Sequence, residues 1–264
     1  MRKSVTFYKY HGTGNDFILI DARADGGSMY TQKTVKELCD RHFGIGADGL
    51  ILLQSSESAD FSMKYFNSDG NESTMCGNGG RCITAFARDL GIIKEKAVFT
   101  GIDGEHIACF SDTNFIHLKM IDVESIASLE GGYFLNTGSP HFVLPGNNIH
   151  DLDVFKEGKK IRDSAIFAPG GTNVNFMVVR GPAEIDVRTF ERGVEQETLS
   201  CGTGSVASAI TACYIQNTDN NSFQVNTSGG KLEVKFTREG NIRFTNIWLA
   251  GPVEFVFRGE VGIV

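Results

Sequence analysis

Met75-Cys76-Gly77-Asn78-Gly79-Gly80-Arg81 and, 125 positions later, Ser200-Cys201-Gly202-Thr203-Gly204-Ser205 are the stretches that decide how this chain is read. Each is a Cys-Gly-x-Gly turn. Apolar residues follow at three- and four-residue steps: Ile83, Phe86, Ala87 and Leu90 after the first, Val206, Ala209, Ile210 and Cys213 after the second. That period is helical. Each cysteine is therefore expected just before a helix N-terminus, where free backbone N–H groups and the helix dipole favour a thiolate or a bound carboxylate. Two such turns in one chain point to a two-thiol catalyst.

The offset recurs elsewhere. It carries Phe17-Ile18-Leu19 onto Phe142-Val143-Leu144 and Asp16 onto His141, and an offset of 124 carries Tyr65-Phe66-Asn67 onto Thr189-Phe190-Glu191. Strand, loop, strand and Cys turn keep their spacing within one residue, which marks an internal duplication. The chain then consists of two similar α/β halves, each presenting one Cys turn. A twofold arrangement would face the cysteines across a cleft between them.

Composition bounds the rest. The 264 residues suggest roughly two domains. Hydrophobic content of 41% and charged content of 22% are ordinary for a globular protein. A net charge of −7, with no Lys/Arg-rich run, argues against a nucleic-acid surface. No apolar run approaches the ~20 residues that span a bilayer. The basic start Met1-Arg2-Lys3 leads into a strand-like stretch and no signal-peptide core, so a cytoplasmic location is expected. The 31 glycines exceed the usual share of about 7% and imply tight turns and close backbone approaches. In a cytosolic chain the six cysteines read as free thiols rather than three disulfides. The closest pairs, Cys76/Cys82 and Cys201/Cys213, lack zinc spacing, and no metal is expected.

Local patterns fill in the elements. Val5–Tyr10 and Phe17–Asp21 read as strands around a loop, His11 to Asp16. Thr31 caps a helix through His42. Gly44-Ile45-Gly46-Ala47-Asp48-Gly49 fits G-x-G-x-x-G. A dinucleotide site needs strand before and helix after, and here the order is reversed, so it reads as a turn into a strand at Leu50–Leu53. Phe61–Phe66 is a strand that ends in the turn Asn67-Ser68-Asp69-Gly70. Short strands follow the first Cys turn at Ala97–Thr100, Glu105–Phe110 and Phe115–Met120. After Gly131 come strands Tyr133–Asn136 and Phe142–Leu144, a helix Asp151–Asp163, and strands Asn175–Arg180 and Ala183–Glu191. The tail from Phe223 to Val264 reads as short strands with Gly and Asn turns.

Two facing thiols suit one chemistry. Inverting a stereocentre that bears an acidic C–H needs a base on one face and an acid on the other, and a thiolate and a thiol supply both. The amides of Gly77, Asn78, Gly202 and Thr203 would hold the carboxylate of an amino acid and so stabilise its carbanion. No cofactor signature is present, and none is expected. Pattern alone makes Cys39, Cys82, Cys109 and Cys213 small core hydrophobes. His141, Asn67, Asn173, Glu191 and Arg192 would by pattern be loop or surface residues, with Asn15 favoured by its place in the repeated loop.

Together, Tyr10-His11-Gly12-Thr13-Gly14-Asn15-Asp16-Phe17, Phe66-Asn67-Ser68-Asp69-Gly70, Cys76-Gly77-Asn78-Gly79, Pro140-His141, Glu191-Arg192-Gly193 and Cys201-Gly202-Thr203-Gly204 resemble the diaminopimelate epimerase family, in order and over essentially the full chain. The Cys turns alone would also fit proline racemases; the opening loop and Glu-Arg-Gly would not. The resemblance implies pyridoxal-phosphate-independent interconversion of LL- and meso-diaminopimelate, in lysine and peptidoglycan biosynthesis, by a cytoplasmic homodimer. It implies an α/β (α+β) fold of two pseudo-symmetric domains, each a mixed or antiparallel sheet or barrel wrapped around a helix. Residues 1–120, completed by a strand at 252–264, would form the first and 121–251 the second, with the active site between them.

Carried over by motif, Cys76 resembles the proton donor and Cys201 the acceptor for the LL substrate. Asn15, Asn67, Asn173, Glu191 and Arg192, with the amides of Gly77, Asn78, Gly202 and Thr203, would bind substrate. His141 and Glu191 resemble residues that tune the thiols. A distal ammonium needs acceptors and a distal carboxylate suits a guanidinium fork. Three positions depart from the family pattern. Gly49 stands where some members have a substrate-contacting Gln, Ser139 where Asn is frequent, and the stretch from Glu191 to Cys201 is one residue longer than the shorter family form. The rival readings are a related cofactor-independent racemase of the proline, hydroxyproline or histidine type, a dithiol redox protein and a non-catalytic amino-acid binder. The redox reading lacks C-x-x-C, and the binder leaves both Cys turns unexplained.

Overall fold

The computed structural model of the chain describes residues 3–112 and 114–263. Met1, Arg2, Thr113 and Val264, which belong to the expected N-terminal half and its closing strand, lie outside the described residues. The chain divides into two compact units: one runs to Leu118 and takes back the chain from Pro252, and the other is Lys119–Gly251.

In the first unit, β1 (Lys3–Gly12) and β2 (Asn15–Asp21) pair as an antiparallel hairpin. Helix α1 (Gln32–Cys39) crosses to β3 (Gly49–Gln54), which lies parallel to β2. β4 (Phe61–Asn67) is antiparallel to β3 and carries the short β5 (Glu72–Ser73). Helix α2 (Gly77–Asp89) then crosses to β6 (Lys96–Gly101), parallel to β4, and β7 (Gly104–Asp112) and β8 (Phe115–Lys119) follow as a meander. The C-terminal strand Glu254–Ile263 pairs antiparallel with β1.

The second unit repeats this pattern of pairings. Its strands are β9 (Ala127–Leu129), β10 (Gly132–Asn136), β11 (Pro140–Pro145), β12 (Asn173–Gly181), β13 (Glu184–Glu191), β14 (Gln196–Thr198), β15 (Ser222–Thr227), β16 (Gly230–Glu239) and β17 (Arg243–Pro252). Helix α3 (Val154–Arg162) makes the first crossover and α4 (Gly202–Gln216) the second. β11–β12 and β13–β15 are parallel and the remaining neighbours antiparallel. The slot beside β10 is filled by β9; the equivalent slot beside β1 is filled by the C-terminal strand.

The registers agree with a duplication. Ile18 pairs with Leu50 as Phe142 pairs with Val174, an offset of 124 on both strands, one less than the 125 expected for Phe17-Ile18-Leu19. Leu50 pairs with Phe66 as Val174 pairs with Phe190, and Tyr65 pairs with Ser73 as Thr189 pairs with Thr198, so β4 maps onto β13 at 124. The expected alignment of Tyr65-Phe66-Asn67 with Thr189-Phe190-Glu191 agrees with this register.

Local chemistry accounts for where elements differ from expectation. The loop at His11–Asp16 is a two-residue turn. Thr13 (φ 51°) and Gly14 (φ 85°) both take the left-handed conformation that matches hairpin twist, so Asn15 and Asp16 open β2. Helix α1 stops at Cys39, short of His42. The Asp40 carboxylate accepts the N–H groups of His42 (2.7 Å) and Phe43 (2.8 Å), and the chain folds back so closely that a Cβ on Gly44 would lie 2.1 Å from the Glu37 carbonyl oxygen. The tail holds three ten-residue strands rather than short ones. Gly259 there is no turn; it faces Phe7 across the ladder, and a Cβ would meet the ring at 2.7 Å.

Helix α2 is buried from Gly77 to Ala87, and α4 is buried on nearly every side from Gly202 to Cys213. Each unit thus packs its sheet around the helix that a Cys turn opens. Opposite faces of the sheets pack on α1 through Ile18, Val35, Leu38, Leu50 and Leu52, and on α3 through Val154, Val174, Phe176 and Phe190. Each such side chain contributes roughly 1.5–3 kcal/mol. Among the described residues no helix is long and apolar enough to cross a membrane.

Candidate active site

Cys76 is the N-cap of α2, with extended backbone (φ −97°, ψ 147°). The N–H of Gly79 donates to its Sγ at 3.1 Å. A hydrogen bond to sulfur at the positive end of a helix favours the thiolate. The turn is held from below by Arg81, a fully buried side chain. Its Nη2 donates to Asn78 Oδ1 (2.8 Å) and Thr13 Oγ1 (3.4 Å), and its Nη1 to the Gly77 carbonyl (3.3 Å). Burial pushes Arg81 down to about 10, against the pull of the Cys82 and Cys76 sulfurs, so it remains a cation at neutral pH. Asn78 Nδ2 donates to Asn15 Oδ1 (3.2 Å), and Asn15 Nδ2 to Asp48 Oδ2 (2.7 Å). The expected residues Asn15, Gly77 and Asn78 therefore meet at the first Cys turn. Asn67 stands apart, exposed at the end of β4.

Beneath Asn15 lies a charged cluster. Arg41 donates to both oxygens of Asp16 (3.1 and 2.7 Å) and to Asp48 (2.7 Å), and Lys9 Nζ sits 2.7 Å from Asp16. Burial would raise the Asp16 carboxyl, but the Arg41 and Lys9 hydrogen bonds hold it at about 2.

Cys201 is the N-cap of α4 and is buried, but its thiol makes no capping bond to the helix backbone. Its Sγ lies 3.5 Å from Thr203 Oγ1. That hydroxyl is 2.9 Å from His141 Nε2, and Thr137 Oγ1 donates to the Thr203 carbonyl (2.9 Å). Burial, reinforced by the Arg192 charge and opposed by the hydrogen bond with Asn175, pushes His141 down to about 3, so the ring is neutral. Asn173 Nδ2 donates to Ser139 Oγ (2.9 Å) and the Pro140 carbonyl (3.1 Å), and its Oδ1 accepts the Arg192 N–H (2.8 Å). Arg192 Nη1 donates to the Gly170 carbonyl (3.1 Å), and Glu191 Oε2 accepts from Thr198 Oγ1 (3.1 Å). His141, Asn173, Glu191, Arg192, Gly202 and Thr203 thus gather at the second Cys turn.

Two of the three departures from the family pattern have local reasons. A Cβ on Gly49 would lie 2.6 Å from both the Phe66 carbonyl oxygen and the Tyr65 ring, so the site has no space for a side chain. Ser139 is the acceptor for Asn173. The remaining thiols suit the core: burial pushes Cys39 up to about 12 and raises Cys82, Cys109 and Cys213. Among the described residues no group of three or more His, Cys, Asp or Glu side chains is placed to hold a metal ion.

Sequence reasoning missed Arg81 and Asn175. Asn175 shares a strand face with Asn173, two residues away, and that period was available to find it. Arg81 sits four residues after Gly77 on a helix otherwise buried, and a lone charge in that phase was the available signal.

Comparison with known proteins supplies the family and the fold. The family model for diaminopimelate epimerase matches residues 7–120 and 133–256. A diaminopimelate epimerase of Flavobacterium psychrophilum is 52% identical over 96% of this chain and 99% of its own length. One from Chlorobaculum tepidum is 42% identical over 95% and 98%. Among solved structures, a Bacillus anthracis phenazine biosynthesis protein of the PhzF family superposes with a TM-score of 0.77 at 17% identity, covering 99% of this chain and 100% of its own. A hydroxyproline epimerase from Agrobacterium vitis gives 0.71 at 14% identity, covering 100% and 94%. These structural likenesses carry the fold alone; the sequence matches carry the family, and by them the chain belongs to the diaminopimelate epimerases.

Proposed function

We propose that the chain interconverts LL- and meso-2,6-diaminopimelate by two-thiol acid–base chemistry, without pyridoxal phosphate. The observation that carries this reading is the repeated pairing of a cysteine N-cap with a buried helix, Cys76 on α2 and Cys201 on α4. For the LL substrate, Cys201 as thiolate takes the Cα proton and Cys76 as thiol returns one to the opposite face. The pair then holds the reversed charge, ready for the meso substrate. The amides of Gly77, Asn78, Gly202 and Thr203 bind the carboxylate at the reacting centre and stabilise the carbanion. Asn15, Asn67, Asn173, Glu191 and Arg192 bind the remaining substrate groups, and His141 and Glu191 tune the thiols. A site committed to a second amino-acid head rejects simpler amino acids, because its polar groups would go unpaired. The reading extends to a cytoplasmic homodimer serving lysine and peptidoglycan synthesis, which light scattering and cell fractionation would check.

Incubating reduced protein with LL-diaminopimelate in D2O and following Cα deuterium by mass spectrometry tests the reaction. Uptake with formation of the meso isomer is expected. A folded, reduced protein that labels proline but not diaminopimelate would overturn the substrate assignment.

A further inference from the structure

Three side chains behind Cys201 form a closed chain of hydrogen bonds whose direction can be read from its fixed end. Asn175 lies on β12 and is fully buried. Its Nδ2 reaches the Phe142 carbonyl (3.3 Å) and His141 Nδ1 (3.0 Å). A carbonyl can only accept, so this end of the amide is the nitrogen. The other end, Oδ1, accepts from Thr189 Oγ1 at 3.0 Å. His141 Nδ1 must then be an acceptor, and the neutral ring carries its hydrogen on Nε2. That hydrogen points to Thr203 Oγ1 (2.9 Å). With its lone pair engaged, the hydroxyl has its own hydrogen free for Cys201 Sγ at 3.5 Å. Asn173 Nδ2 also lies 3.4 Å from His141 Nε2, but both of its hydrogens have closer acceptors in Ser139 and Pro140. Gly204 completes the arrangement: a Cβ there would sit 2.3 Å from Asn175 Oδ1.

We propose that Asn175 is a positioning residue for Cys201. It locks His141 as the Nε2–H tautomer, which turns the Thr203 hydroxyl toward the sulfur and stabilises the thiolate by a hydrogen bond. The inference rests on the two-thiol reading for its catalytic meaning, but the network itself stands without substrate. Arg192 is the charged group that acts on the His141 ring, and Cys201 is the titrating group at the end of the chain.

Two measurements without diaminopimelate test this. Ring 15N–1H correlation spectra of the full-length protein, with His141 assigned through His141→Gln, should show the neutral Nε2–H form from pH 5 to 9. An Nδ1–H form or a cation in that range would overturn the proposal. The second follows alkylation of Cys201 by iodoacetamide against pH in a Cys76→Ser background, read by peptide mass spectrometry. Asn175→Leu and Thr203→Val should each raise the midpoint by about one pH unit, the double variant no further, and Thr203→Ser should keep the original value. If Asn175→Leu folds and leaves the midpoint unchanged, the residue is merely structural. If it does not fold, the wild-type spectrum decides alone. Absence of deuterium uptake with an intact network would instead sink the epimerase reading and leave this one standing.

Discussion

The two Cys turns share a backbone and differ in how they treat charge. Cys76 and Cys201 cap equivalent helices, yet of the two it is Cys76 whose sulfur accepts a capping N–H from its own helix. Beneath it lies the buried guanidinium of Arg81, whose counterpart 125 positions on is Val206, equally buried and apolar. Asn78, a partner of that cation, becomes Thr203, which instead bridges Cys201 to a neutral His141. One thiol therefore sits in a positive field and the other on a chain of neutral dipoles. A duplicated scaffold fixes where two sulfurs go; the side chains around each decide how readily it loses a proton. On the proposed two-thiol mechanism, that difference would set which sulfur holds the charge at rest.

The largest effects should fall on both halves alike. Cys76→Ala and Cys201→Ala are each expected to lower turnover at least about 10³-fold, since on the proposed mechanism each removes a proton-transfer group. Cys82→Ala, which loses only a buried sulfur, should stay within about tenfold. Deuterium exchange at Cα measures all three, and comparable loss at Cys82 would break the assignment of roles.

Arg81→Met should separate the halves. It fills the volume but strips the donors from Asn78 Oδ1 and the Gly77 carbonyl, at a cost of about 3 kcal/mol. The Cys76 alkylation midpoint should rise by about one to two pH units while that of Cys201 stays put. Equal movement at both sulfurs would mean that the buried cation does not act locally.

Glycines in the two turns give a smaller contrast. At Gly204 an added Cβ meets Asn175 Oδ1 at 2.3 Å, whereas at Gly79 the nearest atoms are Cys76 Sγ at 3.1 Å and the flexible Ile51 Cδ1 at 3.2 Å. Gly204→Ala should cost about 1–3 kcal/mol through overpacking. Gly79→Ala should be near neutral, because alanine regains roughly 0.5–1 kcal/mol in a helix. Urea unfolding of the two variants would check the order.

Much of this was legible before folding. The repeat offset and the helix after each turn follow from spacing, because backbone pairing preserves spacing, whereas His141 entered only through the family resemblance. What escaped was what depends on contact. Thr31 as an N-cap was readable, but the end of α1 depends on Asp40 turning back on its own backbone. Gly259 looks like a turn residue until Phe7 is placed across from it. Arg81 was invisible for a related reason: an arginine in a helix is usually solvated, and only the packed unit shows that α2 has no solvent side.

Acid should find the halves in order. Asp16 and His141 stand just before Phe17 and Phe142, at the positions that a sequence offset of 125 aligns. Both are held below their ordinary values, Asp16 at about 2 by Arg41 and Lys9 against burial, and His141 at about 3 by burial. In each case the unfolded chain binds the proton first, so stability is lost as pH falls from the unfolded value toward the folded one. For His141 that loss starts near pH ~6.5, and for Asp16 only near ~3.9. At pH 5 the histidine has given up about 2 kcal/mol while the aspartate has given up almost nothing. Urea titrations of wild type and His141→Gln should therefore converge by about that amount between pH 7 and pH 5. Hydrogen exchange over the same range should quicken in Lys119–Gly251 before the first unit. If the first unit opens earlier, the buried neutral histidine is not what limits the protein in acid, and the difference in charge between the two halves does not reach their stability.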